Sequence, residues 1–124
     1  MAAHHLTNCE LEVMDVVWQK GRVTVQDVVD ALDRSLAYTT VMTTLKILDE
    51  KRGVVKRMKS GRAYVYEPLV TREDVCRSMA DQLTQQLFQG SVKSLVLSLI
   101  DTNRMSRSDI EELKQAIRSL EGDA

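Results

Sequence analysis

Apolar residues recur at helical spacing through the first fifty positions, then at strand spacing, then at helical spacing again. Leu11, Met14 and Trp18 stand at i, i+3 and i+7, one face of a helix. Thr7 and Glu10 precede that face at the spacing of a capping box, and Leu6 and Leu11 at that of a hydrophobic staple. Gly21 ends the segment. The layout then repeats, with Thr24 as cap, Asp27 three residues on and a Val23/Val28 staple. Val25, Val28, Val29 and Leu32 predict a short second helix. A third spans about 39–51, where Val41, Leu45 and Leu48 form an inward stripe at i, i+4 and i+7. Thr39, Thr40, Thr43, Lys46 and Glu50 lie away from that stripe, and Gly53 is the expected stop.

From position 54 the period falls to two. Val54-Val55-Lys56-Arg57-Met58 and Ala63-Tyr64-Val65-Tyr66 read as short strands joined by a tight turn, Lys59-Ser60-Gly61-Arg62, and Pro68 closes the unit. Thr71-Arg72-Glu73-Asp74 starts another helix, with Val75, Met79, Leu83 and Leu87 on one face until Gly90-Ser91 breaks it. Leu95, Val96, Leu99 and Ile100 form the next apolar face. Ser106 and Asp109 open a last helix carrying Ile110, Leu113, Ile117 and Leu120. Three thin helices with one stripe each cannot cover those stripes alone, so a second copy of the chain is the expected cover. The expected dimer residues are Val75, Met79, Leu83, Leu87, Leu95, Leu99, Ile110, Leu113 and Ile117.

The predicted order is three helices, a two-stranded hairpin, then three helices. It describes a mainly α fold, a winged helix-turn-helix head over residues 1–69 followed by a helical dimerisation domain over 70–124. Charge sharpens this. The chain has 124 residues and a net charge of −1, which by itself points away from nucleic acid. Its distribution points the other way. Residues 34–66 hold eight basic and two acidic side chains, between flanks of net −4 and −3. A local excess over the third helix and the hairpin is an electrostatic footprint for a polyanion, and those are the parts of a winged helix that meet DNA. A charge run alone is more often a solvated face; the topology tips the balance. Thr39, Thr40, Thr43 and Lys46 are expected to face the major groove, and Lys56, Arg57, Lys59 and Arg62 to meet phosphates, with Arg62 in reach of the minor groove.

Composition narrows the remaining classes. An apolar fraction of 44% suffices for a modest core, and no apolar run reaches membrane-spanning length. The N-terminus has neither the cationic nor the apolar stretch of a signal peptide, and two cysteines make no disulfide framework, so a cytoplasmic setting is expected. His4 and His5 lack further ligands at metal-binding spacing, and no metal or other cofactor is expected. Cys9 and Cys76 flank apolar helical faces and read as wholly or partly buried thiols, and Trp18 as a packing residue. No phosphate loop, nucleophile elbow or zinc-protease motif occurs, so an enzyme is not expected. Two other readings stay open: a winged-helix regulator that senses metal or a small molecule directly, and a winged-helix protein-interaction module that never touches DNA.

Two stretches, Tyr38-Thr39-Thr40-Val41-Met42-Thr43-Thr44-Leu45 and Gly61-Arg62-Ala63-Tyr64-Val65-Tyr66, resemble the penicillinase/methicillin-resistance repressor family, the BlaI/MecI group. Leu11-Glu12-Val13-Met14-Asp15-Val16-Val17-Trp18 is similar to its first helix, and Lys93-Ser94-Leu95-Val96-Leu97 to its dimerisation region. The resemblance runs from about Leu6 to Leu120. It implies a homodimeric repressor of a dyad-symmetric double-stranded DNA operator, with a membrane-bound sensor protease as a partner that relieves repression by triggering cleavage. The implied cleavage bond is Ser98-Leu99, where the best-known members have Asn-Phe. Thr39, Met42 and Ile47 replace some of the basic residues that those members carry on the third helix. Lys51-Arg52-Gly53 is one residue longer than their helix ending, and the C-terminal cysteine cluster of the copper-responsive branch is absent.

Overall fold

A reciprocal cap starts four of the six helices among the described residues. The computed structural model describes residues 4–100 and 104–122. The residues Met1-Ala2-Ala3 and Asp123-Ala124, which entered the readings of leader and tail, lie outside that range. Helix α1 (Asn8–Lys20) opens with the Thr7 hydroxyl accepting from the Glu10 N–H, while the Glu10 carboxylate accepts from the Thr7 N–H. Thr24 and Asp27 do the same for α2 (Val25–Ala31), Thr71 and Asp74 for α4 (Arg72–Phe88), and Ser106 and Asp109 for α6 (Arg107–Gly122). Each box satisfies two backbone amides that the first turn leaves open. The amides of Thr24 and Thr71 also hold the carboxyls of Asp27 and Asp74 below the usual carboxylate range. Helix α5 spans Val92–Ile100.

Helices α1, α2 and α3 (Tyr38–Glu50) pack around one core, and the inward stripe of α3 lies where its spacing placed it. Val41, Leu45 and Leu48 are completely buried, against Val13, Met14 and Val17 of α1 and Val28 of α2. The chain leaves α3 through Gly53, at φ 64, where a side chain would be strained. Strands β1 (Val55–Ser60) and β2 (Ala63–Pro68) pair antiparallel, from Val55 opposite Pro68 to Ser60 opposite Ala63. The turn proper is Gly61-Arg62, with Gly61 at φ 64, the two-residue hairpin pattern that takes glycine first. The strands therefore reach closer to the tip than the expected four-residue turn allowed. A further strand residue was not legible. Val23, read as a helix staple, exchanges both backbone hydrogen bonds with Tyr66, at 3.0 and 2.7 Å, and moors the hairpin to the α1–α2 connection.

The chain separates into two compact units, 1–83 and 84–124, with the division inside α4. In the first unit the early part of α4 packs on the head. Val75 is 1% exposed within the core and Met79 packs against that core. These two expected dimer residues are therefore already covered by their own head. The surrounding geometry explains it: Trp18 donates its indole N–H to the Val70 carbonyl at 2.9 Å, and Arg72 lies over the Trp18 ring while pairing with Asp15. Cys76, one position on, points away from this contact and is exposed, contrary to the expected burial; Cys9 is half-buried beside Thr44. The His4 amide donates to Ser78, so the chain before α1 is tied to α4. In the second unit, α5 and α6 contain no buried residue, and Leu87, Leu97, Leu99, Ile117 and Leu120 are exposed.

One ion pair, buried on its Glu10 side, joins α1 to the end of α3. Glu10 is 5% exposed, and its carboxylate accepts from Arg52 Nε at 3.1 Å besides capping α1. Arg52→Met would leave that buried acceptor short of partners. The expected outcome is a head destabilised by about 1–3 kcal/mol, read as a lower urea midpoint at unchanged slope.

Candidate DNA-binding surface

The three-turn α3 presents its outward residues in a line, because 3.6 residues per turn bring positions three and four apart onto one face. Thr39, Thr43 and Lys46 form that line, with Met42 on one side of it and Thr40 on the other. All five are exposed. On the hairpin, alternation puts Arg57, Lys59, Tyr64 and Tyr66 on one face and Lys56 on the other. The face of Arg57 turns toward α3. Together they enclose a cleft of about 680 Å³, lined by Met42, Thr43 and Lys46 from the helix, Arg57, Arg62, Tyr64 and Tyr66 from the hairpin, and Thr24 and Gln26 from the start of α2. The expected residues thus sort into three groups, with Lys59 on the Arg57 face of the hairpin but outside the cleft lining. Thr43, Lys46, Arg57 and Arg62 come together in the cleft; Thr39 and Thr40 lie beyond it on the exposed start of α3; Lys56 sits on the opposite face of the hairpin.

The hairpin side chains are held in place rather than left to wander. The Arg57 guanidinium lies 4.5 Å above the centre of the Tyr64 ring, a cation–π contact. Burial pushes the Tyr66 phenol up, with the nearby Arg57 charge pulling the other way. Tyr38, Tyr64 and Tyr66 were not among the expected site residues, nor was Met42. The hairpin register could have signalled Tyr64, which pairs with Lys59; nothing in the sequence marked the aromatic lining as a unit.

The basic excess also divides. Four arginines of the first unit hold carboxylates: Arg22 with Glu67 at 3.3 Å, Arg34 with Glu12 at 2.7 Å, Arg52 with Glu10 at 3.1 Å, and Arg72 with Asp15. The fork of Arg34 holds the Glu12 carboxyl below its ordinary value. Among the described residues, Lys46, Lys51, Lys56, Arg57, Lys59 and Arg62 make no such pair. All six are exposed on the third helix, its end or the hairpin. Charge left without a partner on a concave face raises the local potential far more than the same number of neutralised pairs. Helix α3 also differs at its start: its N-cap is Ala37, which contributes no side-chain hydrogen bond, so its first-turn amides are open to an outside acceptor. No three His, Cys, Asp or Glu among the described residues come together as a metal-binding group.

The penicillinase repressor family matches residues 6–119 of this chain. The chain is 34% identical over 120 residues to the transcriptional regulator BlaI of Mycobacterium tuberculosis, covering 94% of this chain and 85% of that protein. It is 27% identical over 114 residues to the penicillinase repressor of Bacillus licheniformis, covering 90% and 88%. The solution structure of the DNA-binding domain of the repressor BlaI superposes with a TM-score of 0.52 at 29% identity, covering 59% of this chain and 90% of that one. A mutant MarR from E. coli, in complex with operator DNA, superposes with a TM-score of 0.51 at 14% identity, covering 93% and 75%. That last likeness is one of fold.

Thr43, at the centre of the exposed line, tests whether the line reads bases. Thr43→Ala should reduce the preference for a cognate duplex over random DNA by about 1 kcal/mol per head, the low end for one base contact. Competition binding with the two duplexes measures it; equal losses on both would assign Thr43 to the DNA backbone.

Proposed function

This chain belongs to the penicillinase repressor family and is a DNA-binding transcriptional repressor; we propose that it works as a homodimer on a dyad-symmetric operator. In this reading α3 enters the major groove, and Arg57, Lys59 and Arg62 of the hairpin meet the phosphates beside it. The observation that carries it is the sorting of cations. Arg22, Arg34, Arg52 and Arg72 are paired with carboxylates, while the basic residues of α3 and the hairpin are not. The family is one of repressors rather than enzymes, and no helix among the described residues is long and apolar enough to cross a membrane. The reading places the protein in the cytoplasm with its operator.

The homodimer rests on residues 70–124, as a dimerisation domain following a head of residues 1–69. The apolar side chains Leu83, Leu87, Leu99, Ile110, Leu113 and Ile117 are exposed in the single chain, and Leu95 is half-buried. That is more apolar surface than so thin a set of helices can leave in water. Two joined heads bind half-sites about one DNA turn, roughly 34 Å, apart, or a multiple of it. Release of repression is read as proteolysis at Ser98-Leu99 by a sensor protease. The bond lies in α5, between Leu95 and the end of that helix, so a cut there divides the apolar surface that holds the dimer.

Arg62, at the hairpin tip, tests the DNA reading. Arg62→Ala should weaken binding to every duplex by a similar factor and lower the log–log salt slope by about one unit per head. An unchanged slope with altered base preference would assign Arg62 to sequence reading instead. A foreign protease site placed between Ser98 and Leu99 tests assembly and release together. The uncut protein should sediment as a dimer at micromolar concentration. The cut protein should lose the dimer, and operator binding should fall by orders of magnitude, as expected when bivalency is lost. A monomer before cutting would overturn the dimer, and a cut dimer that still binds would overturn the release mechanism.

A further inference from the structure

We propose that this repressor reads its major groove chiefly through the 5-methyl groups of thymine, with Met42 as the residue that sets the preference. The inference rests on the reading of α3 as the helix that enters the groove, and it concerns what that helix can recognise there. In helix-turn-helix docking, the first turns of the recognition helix approach the base edges. On α3 the exposed residues of those turns are Tyr38, Thr39, Thr40, Met42 and Thr43. None is an arginine, lysine, asparagine or glutamine, the side chains that recognise guanine or adenine with two hydrogen bonds. None is an acid that would accept from cytosine. They offer methyl groups, a thioether and single hydroxyls. The one apolar feature that a base pair shows in the major groove is the thymine methyl, and threonine methyls are among its usual partners.

The exposure of Met42 supports this independently. Of the large apolar side chains in residues 4–60, Tyr38 and Met42 alone are exposed, at 49% and 43%. Val41 and Leu45 on the same helix are sealed in the core, so this head does not leave apolar groups in water for want of room. Met42 stands on the hairpin side of the Thr39–Thr43 line and lines the cleft with Lys46 and Arg62. Its unbranched thioether fits irregular apolar surfaces. Nearby groups able to read purines are engaged elsewhere. The Gln26 amide donates to Asp30 at 2.8 Å, and Arg57 is stacked on Tyr64. Lys46, one turn further along, and Arg62 at the hairpin tip remain as candidates for guanine or for a phosphate.

The test begins with the full-length protein and a random-sequence duplex pool. The enriched duplex is then remade with deoxyuridine in place of thymine, position by position. Deoxyuridine removes the methyl group and keeps every base-pair hydrogen bond. Binding of the unaltered protein should fall roughly four-fold for each contacted thymine, the weight of one buried carbon group. Met42→Ala should bind the thymine duplex more weakly and lose its sensitivity to deoxyuridine at one position of each half-site. An enriched duplex bound equally well with thymine or deoxyuridine would overturn the inference and leave the DNA-binding reading standing. So would a half-site specified by guanines under α3. A pool in which nothing is enriched would overturn the sequence-reading function itself. The deoxyuridine arm uses the unaltered protein, so it does not depend on how well the variant folds.

Discussion

The rotation of α3 about its own axis governs the rest of the head, and the complete burial of Val41, Leu45 and Leu48 sets it. Three side chains with no exposure leave a helix one orientation, because turning it by one residue would put an apolar group in water and a polar one in the core. With that orientation given, Thr39, Thr43 and Lys46 face outward by geometry alone. The helix exit through Gly53 then aims β1, and the backbone pairing of Val23 with Tyr66 holds the hairpin at the side of the helix. The cleft between them is thus a consequence of core packing, not of any contact made across the cleft itself.

Charge follows a second rule on the same scaffold. An arginine beside a carboxylate contributes little to a long-range field, and an exposed pair contributes little to stability. The four paired arginines of the first unit serve locally. Arg52 completes the partners of the buried Glu10, and Arg72 covers Trp18 where α4 leaves the hairpin. The counted excess of residues 34–66 therefore overstates the field, since Arg34 and Arg52 belong to pairs. What remains is confined to α3, its end and the hairpin, and so is better directed than the raw count suggested.

Elements with local signals were legible in the sequence, and those made by distant partners were not. Capping boxes at Thr7, Thr24 and Ser106, the α3 stripe and the hairpin depend on residues within a few positions of one another. The outward residues of α3 followed from the same stripe. The Val23 bridge needed a partner 43 positions away, and its local pattern looked like a staple. Val75 carried the helical spacing expected of a dimer stripe, yet spacing says only that a face is apolar, not what covers it. Its neighbour Cys76 shows the same limit from the other side. The pairing of Arg34 and Arg52 with glutamates of α1 was equally invisible, because charge counts carry no geometry. The cleft lining was half legible: its basic members stood out, and its tyrosines and Met42 were not marked as site residues.

Helix α4 shows how one stripe can serve two purposes. Its first turns carry Val75 and Met79 into the head core, while Leu83 and Leu87 further along are exposed. If the exposed part of the stripe is covered by a second chain, the anchoring of Val75 ties the head directly to the element that pairs. A second chain on that stripe would hold two heads together and raise the effective concentration of the second head at a paired half-site.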